Sequence, residues 1–386
     1  MMFKFISRRP GSAPAGTGLA ISERKYDFRL SGHRIRQLRN QWQAYVNAIP
    51  PYPRSFSGRG IVMCAGGVSY FTCAWISISM LRKSACALPI EVWYSGMELN
   101  QEVIECLKAL KVDCRNCKDY SDLTITGFMM KPFAILNSSF REVLLLDADN
   151  NCVTDPSYLF DSGEYRENNA VFWPDFGTTD KRSPIWKITA TDDYGSIEQE
   201  SGQLLINKER CWKELNLCWH FNLQRSDYYK MLWGDKDTFR FSWMALGSPF
   251  YMIPTPVGLC GFDRPETGFV GVSLVQHDFA GNILFLHRNL FKWDVTRNDE
   301  CMHLEIRRFI SGAKQRESGF RVFTIAKARY SCIEMRGEVE SVPFKELLGD
   351  HELQCLNELK ELREKDFYSR FLQHAYFVYF RPGYIE

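Results

Sequence analysis

The sequence predicts an α/β fold, with a mostly parallel central sheet flanked by helices, a helical arm before it and a helical, aromatic extension after it. Three observations carry this. Short apolar runs alternate with helical periods from Ile61 onward, the pattern of a parallel sheet covered by helices. Val143-Leu-Leu-Leu146 is unbroken and aliphatic, as in a strand buried on both faces. At 386 residues the chain can bury a large core.

Residues 1–57 read as an N-terminal arm. Gly, Pro, Ser and Ala mix loosely over residues 1–30, the composition of a flexible or loosely docked segment. A helical period runs from His33 to Asn47, with Ile35, Leu38, Trp42, Tyr45 and Val46 on one face and Arg34, Arg36 and Arg39 mostly off it. Pro50, Pro51 and Pro53 stop it.

Residues 58–300 read as the main domain. Ile61–Cys64 is a first strand, Ala65-Gly-Gly67 a turn, and a helix from about Ser69 carries Phe71, Ala74, Trp75, Ile78 and Leu81. Ile90–Tyr94 is a second strand, and Asn100 caps the next helix. Val112–Cys114 is a third strand, and a helix around Lys131–Ser138 leads into the strand that ends at Asp147. Ala170–Asp175 is a further strand. The charged stretch Thr178–Gln199 has little periodicity and is expected to be a long lid or binding loop. Glu200-Ser-Gly-Gln203 reads as a polar turn feeding a strand at Leu204–Asn207, followed by one helix from Glu209 to about Tyr229. Another helix bears Phe239, Trp243 and Leu246. Leu274–His277 and Ile283–His287 are short strands that each deliver a histidine.

Residues 301–386 read as an extension packing on that domain. Asp350–Asp366 suits an amphipathic helix with Leu353, Leu356 and Leu359 on one side. The aromatic tail Phe371–Tyr384 wraps the main domain or makes a dimer contact.

Composition excludes some classes. A net charge of +2, from 48 basic and 46 acidic residues, gives no basis for binding nucleic acid. No apolar run approaches the roughly 20 residues needed to span a bilayer, so a cytoplasmic protein without a membrane span is expected. Ten tryptophans suit a large core or sugar-stacking surfaces equally. Of thirteen cysteines only Cys114-Arg-Asn-Cys117 hints at metal, and it lacks a second pair; the thiols read as reduced and packed.

The chemistry centres on Asp147-Ala-Asp149. A buried strand that ends in two acids calls for a cation, and open α/β sheets bind ligands at the carboxyl ends of their strands. A divalent metal holding a diphosphate answers both. Residues i and i+2 of a strand lie roughly 6.5 Å apart, so both acids reach one ion only if the chain curls after Leu146. Mn²⁺ or Mg²⁺ takes oxygen ligands, and Mn²⁺ also accepts imidazole, which brings in His287 or its rival His277. Asp149 is the expected direct ligand, with Asp147 on the ion, its water or a ribose.

Gly66-Gly67 lacks the G-x-G-x-x-G spacing but lets a nucleotide pass close to backbone. Lys131 faces either donor phosphate or an acid of the site. Asp235 and Asp237 open a helix, where acids serve as caps and dipole partners; they also suit the hydroxyls of a sugar. A phosphohydrolase of the haloacid dehalogenase type is disfavoured, because Asn151 stands where its motif needs Thr or Val.

At these residues the chain resembles a family. Gly58-Arg-Gly-Ile-Val62, Leu88-Pro-Ile-Glu-Val-Trp-Tyr94, Lys131-Pro-Phe-Ala-Ile135, Leu145-Leu-Asp-Ala-Asp-Asn150, Phe172-Trp-Pro-Asp175, Glu200-Ser-Gly-Gln203 and Gly234-Asp-Lys-Asp-Thr-Phe239 follow one another as in the fungal Golgi α-mannosyltransferases that extend mannan chains. The resemblance implies a GT-A, Rossmann-like fold and a nucleotide-sugar donor, with Mn²⁺ dependence and retention of the α configuration. GDP-mannose is the favoured donor and a UDP-hexose the alternative; the acceptor is a glycan or glycoprotein. It further implies that His287 completes the metal set and that Lys292 caps the diphosphate. Glu200, Ser201, Gly202 and Gln203 would line the sugar pocket, where Trp173 and Asp175 could border it. Glu200, Asp235 and Asp237 are the candidate nucleophiles if a covalent intermediate forms. Same-face attack is the preferred route. A glycan-binding protein without turnover is the non-enzyme reading. The fungal enzymes carry an N-terminal membrane anchor, and no matching apolar segment stands here, so a Golgi lumenal location is expected only of a longer chain.

Overall fold

The computed structural model describes residues 29–232, 234–265, 268–310, 320–325, 330–335 and 337–380. The expected loose arm lies almost wholly outside these residues, as does the end of the aromatic tail. Helix α1 (Gly32–Asn47) starts where the Ser31 side chain accepts the Arg34 N–H at 3.2 Å, one residue before the expected start. It buries Leu38 and Trp42, and the Trp42 indole donates to the Ile188 carbonyl at 2.8 Å.

Strand β1 (Arg59–Cys64) and helix α2 (Gly67–Lys83) follow, then β2 (Ile90–Tyr94). Helix α3 (Gln101–Ala109) is capped by Asn100, as expected, and precedes β3 (Val112–Asn116). Helix α4 (Met130–Asn137) feeds β4 (Glu142–Asp147). A three-residue strand, β5 (Asn150–Cys152), leads through helix α5 (Gly163–Asn168) to β6 (Ala170–Thr178).

The stretch expected to be a long loop contains helix α6 (Pro184–Thr189). Ser183 caps it, Pro184 occupies its first turn, and Ile185, Trp186 and Ile188 are buried in a cluster with Leu38, Trp42 and Phe221. Strand β7 runs from Ile197 to Asn207, so Glu200–Gln203 is the interior of a strand and not a turn. Its polar residues escape the usual strand pattern because they face the site described below. The single helix expected at 209–229 is two, α7 (Trp212–Leu223) and α8 (Arg225–Met231), divided at Gln224. Helix α9 (Lys236–Leu246) follows, then β8 (Tyr251–Met252), β9 (Gly258–Arg264), β10 (Gly268–His277) and β11 (Ile283–His287). Residues beyond 300 add β12 (Glu305–Phe309), β13 (Phe320–Ile325), β14 (Tyr330–Met335) and β15 (Val339–Pro343), then helices at Phe344–Leu348, His351–Glu364 and Asp366–Phe380.

The main sheet has the order β3-β2-β1-β4-β7-β6-β8. β3, β2, β1 and β4 are parallel, β7 is antiparallel to both neighbours, and β8 is parallel to β6. This mostly parallel, helix-flanked sheet is the α/β architecture expected. A second, antiparallel sheet has the order β13-β14-β10-β9-β12-β15, with β11 joining β10 to β5. It takes strands from both sides of residue 300.

Trp93, Trp173, Trp186, Trp243 and Trp293 are fully buried, which favours core over sugar-stacking surface for the aromatics. On the helix His351–Glu364 the buried leucines are Leu356, Leu359 and Leu362, which share a cluster with Cys355 and with Phe71, Ala74 and Ile78 of α2; Leu353, expected on the same side, is exposed. All thirteen cysteines are free thiols.

Candidate active site

The two sheets meet at the acidic pair. β4 pairs with β1 as far as Asp147, while Asn150, three residues on, already pairs with His287 in the second sheet. Asp147-Ala148-Asp149 is therefore the crossing from one sheet to the other. That crossing supplies the curl after Leu146 which two acids on one ion require. Asn150 holds it closed: its amide donates to the Gly202 carbonyl at 2.8 Å and to Gln203 Oε1 at 2.6 Å, and its own carbonyl accepts the Ser77 hydroxyl at 2.7 Å. The Arg288 N–H donates to the Asp149 carbonyl at 2.8 Å.

The same register sets the two histidines apart. β10 and β11 are antiparallel, with His277 opposite Ile283 and His287 opposite Leu274, so they occupy opposite ends of one hairpin. Only His287 lies beside β5. Asp147, Asp149 and His287 each offer a ligand atom within 4.8 Å of the others, and no other such group contains three residues among those described. His287 Nε2 is 3.1 Å from Asp149 Oδ1 and 3.6 Å from Asp147 Oδ2. Its Nδ1 lies 3.2 Å from Glu200 Oε1. Burial works against the imidazolium, but Glu200 and Asp147 outweigh it and hold the His287 pKa above the ordinary value. His277 is pushed down to about 4 by burial, and its carbonyl accepts the indole N–H of Trp173.

Two ammonium groups sit on the acids. Lys131 donates to Asp147 Oδ2 at 2.8 Å and to the Ser201 carbonyl and hydroxyl at 3.2 Å each, and lies 3.6 Å from Asp235. Burial opposes its charge, yet Asp147 and Asp235 raise its pKa above the lysine norm. Lys292 pairs with Asp149 Oδ2 and lies 5.2 Å over the ring of Tyr70, which is exposed on the first turn of α2. Burial lowers the Lys292 pKa. Of the alternatives open for Lys131, this geometry realises the acid of the site.

Glu200 also accepts the Gly202 N–H at 2.8 Å and the Gln203 amide at 3.1 Å. A Cβ on Gly202 would fall 2.3 Å from His287 Nδ1, so only glycine fits there. Asp235 is buried, accepts the Ser201 hydroxyl at 3.3 Å, and has its pKa raised by that burial. Asp237 belongs to a neighbouring network: it accepts Gln199 N–H at 3.2 Å and Arg240 Nε at 3.0 Å, and lies 3.3 Å from Lys236. Lys236 also holds Asp175 and Glu198. Trp173, expected to border the pocket, is wholly buried in the core. At Gly66 the close approach is by a side chain, since a Cβ there would meet Glu98 Oε2 at 1.9 Å.

Asn150 and Tyr70 were not singled out in the sequence. Asn150 enters the sequence reading only as the last residue of the segment Leu145–Asn150.

The donor set fits a divalent cation of the Mn²⁺ kind, with two carboxylates, one imidazole nitrogen facing them and a carboxylate on the other nitrogen. Lys131 and Lys292 offset only part of the negative charge of Asp147, Asp149, Glu200 and Asp235.

A family model described as "Mannosyltransferase putative" matches residues 58–193 and 187–278, more than half of the chain. The alpha-1,2-mannosyltransferase MNN5 of Saccharomyces cerevisiae is 27% identical over 298 residues, covering 60% of this chain and 51% of that protein. The alpha-1,2-mannosyltransferase MNN21 of Candida albicans is 30% identical over 315 residues, covering 65% and 48%. The chain spans about half the length of the curated relatives it matches. The solved glycosyltransferase GlyE of Streptococcus pneumoniae overlaps 51% of this chain and 45% of its own at 17% identity, with a TM-score of 0.36. No helix of the described residues is long and apolar enough to cross a membrane.

Proposed function

The chain belongs to this mannosyltransferase family, and from that premise we propose that it moves a mannosyl unit from GDP-mannose to a hydroxyl of a glycan, with retention. The observation that carries the reading is the convergence of Asp147, Asp149 and His287 at the point where the chain crosses between sheets. These three residues would hold Mn²⁺, which supplies Lewis-acid stabilisation of the charge on the departing diphosphate.

The chain's own groups do the rest. Glu200 orients His287 so that Nε2 faces the ion. Lys131 offsets the negative charge of Asp147 and Asp235. Lys292, at the open side of the site, turns from Asp149 to a phosphate oxygen when donor binds. Ser201, Gln203 and Asp235 line the sugar side. The C1–O bond to the diphosphate breaks and a bond from the acceptor oxygen to C1 forms on the same face; the acceptor's proton passes to the leaving phosphate oxygen. The occupancy of Glu200, Asp235 and Asp237 by protein partners supports this route over a covalent intermediate on any of them.

The test is nucleotide release from GDP-mannose, UDP-glucose, UDP-galactose and UDP-GlcNAc, each with Mn²⁺ and with chelator. GDP release that needs Mn²⁺ supports the proposal. Release from a UDP-sugar alone reassigns the donor, and release from none removes the enzyme reading in favour of a glycan-binding protein.

A further inference from the structure

The family match ends at residue 278, whereas His287, Arg288 and Lys292 lie beyond it. Arg288, next to His287, is fully buried. Its guanidinium donates to Glu352 Oε1 at 2.7 Å and to the Phe291 carbonyl at 2.9 Å, and lies 4.0 Å over the ring of Trp293. Glu352 belongs to the helix His351–Glu364 and also accepts the backbone N–H groups of Met302 at 3.0 Å and His303 at 2.8 Å. Burial opposes its charge, but His303 and Arg288 hold its pKa below the usual carboxylate value. At the far end of the same helix, Arg363 donates to the carbonyls of Thr296 at 2.6 Å and Asp294 at 2.9 Å. One helix thus grips both ends of the segment that carries Arg288 and Lys292.

A buried guanidinium is tolerated only when paired and fully hydrogen-bonded. Arg288 therefore cannot move without Glu352, and its backbone N–H is tied to the Asp149 carbonyl. We propose that Glu352 is a positioning residue for the cation site: through Arg288 it fixes the turn after β11, and with it the approach of His287 to Asp149. This rests on the metal reading above. The C-terminal helix is then part of the site's construction, although it contributes no ligand.

The experiment is a Mn²⁺ titration by electron paramagnetic resonance, run well below each variant's melting temperature. The variants are Glu352→Gln, the double variant Arg288→Gln/Glu352→Gln, Leu356→Ala on the buried face of the same helix, and Asp149→Asn. The double variant removes both buried charges and so keeps the test available if Glu352→Gln alone does not fold. Mn²⁺ affinity should fall about tenfold in Glu352→Gln and in the double variant, the usual scale for groups behind a metal ligand. Leu356→Ala should lose melting temperature but keep its affinity. An affinity within about twofold of the unchanged chain in the double variant, with Asp149→Asn inactive in binding, overturns the role of Glu352 alone. Equal loss in Leu356→Ala overturns it too, as a general effect of stability. If the unchanged chain binds no more Mn²⁺ than Asp149→Asn, the metal reading fails and takes this proposal with it.

Discussion

Nδ1 of His287 lies 3.2 Å from Oε1 of Glu200, which leaves Nε2 as the nitrogen turned toward Asp149. A carboxylate on one imidazole nitrogen decides which nitrogen remains free for a cation. Glu200→Gln keeps the shape and loses the charge, so Mn²⁺ affinity should fall about 10–100-fold. Donor turnover should fall with it at low Mn²⁺ and recover at high Mn²⁺. Turnover that stays low at saturating Mn²⁺ would assign Glu200 to the reacting sugar and not to His287.

Asp149→Asn should separate function from folding. The side chain is buried with His287 and Lys292 on its oxygens, yet asparagine fills the same volume, and Lys292 remains partly exposed and can hydrate. Nucleotide release should drop on the order of 10³-fold, as for loss of a major electrostatic group. The melting temperature, followed by calorimetry, should change little. A collapse of that temperature would show the acid to be a member of the fold first.

Gly202→Ala tests how tightly the site is built. The new Cβ would sit 2.3 Å from His287 Nδ1 and 2.8 Å from Glu200 Oε2, and both of those groups are anchored. His287 must leave its place, so Mn²⁺ binding should be lost, with overpacking costing about 1–3 kcal/mol of stability. Urea denaturation and the Mn²⁺ titration check the two halves. Unchanged metal binding would mean that His287 is not a ligand.

The sheet and the acidic pair were legible because their signals are local. An unbroken aliphatic run, a cap at Asn100 and the spacing of α1 each sit within a few residues of what they determine. Strand-end placement favoured His287 over its rival His277, but the approach of His287 to Asp149 was not legible, because it depends on the register between β5 and β11, residues far apart in sequence. Glu200–Gln203 misled for a related reason. Polar residues in a run normally mark a turn, and here they are a strand whose partners, Asn150, Lys131 and His287, come from three other elements. Helix α6 hid inside a charged stretch because its apolar positions span scarcely two turns.

Acid should be the weak side of the fold. Burial holds His220, His277, His303 and His351 at about 4, well under the value near 6.5 expected in the unfolded chain. Between those values the unfolded state binds more protons, so stability falls as pH falls. The stability these rings contribute is complete above about pH 6.5 and lost as pH drops toward 4, at about 1.4 kcal/mol per pH unit for each ring. His287 runs the other way, since its folded pKa is raised. The urea midpoint, measured without metal, should be level above about pH 7 and decline steeply below about pH 6. His220→Gln should flatten part of that decline, because His220 is shifted by burial alone. A midpoint that stays level down to about pH 4.5 would mean that the four rings are protonated inside the folded protein, with solvent or a carboxylate reaching them.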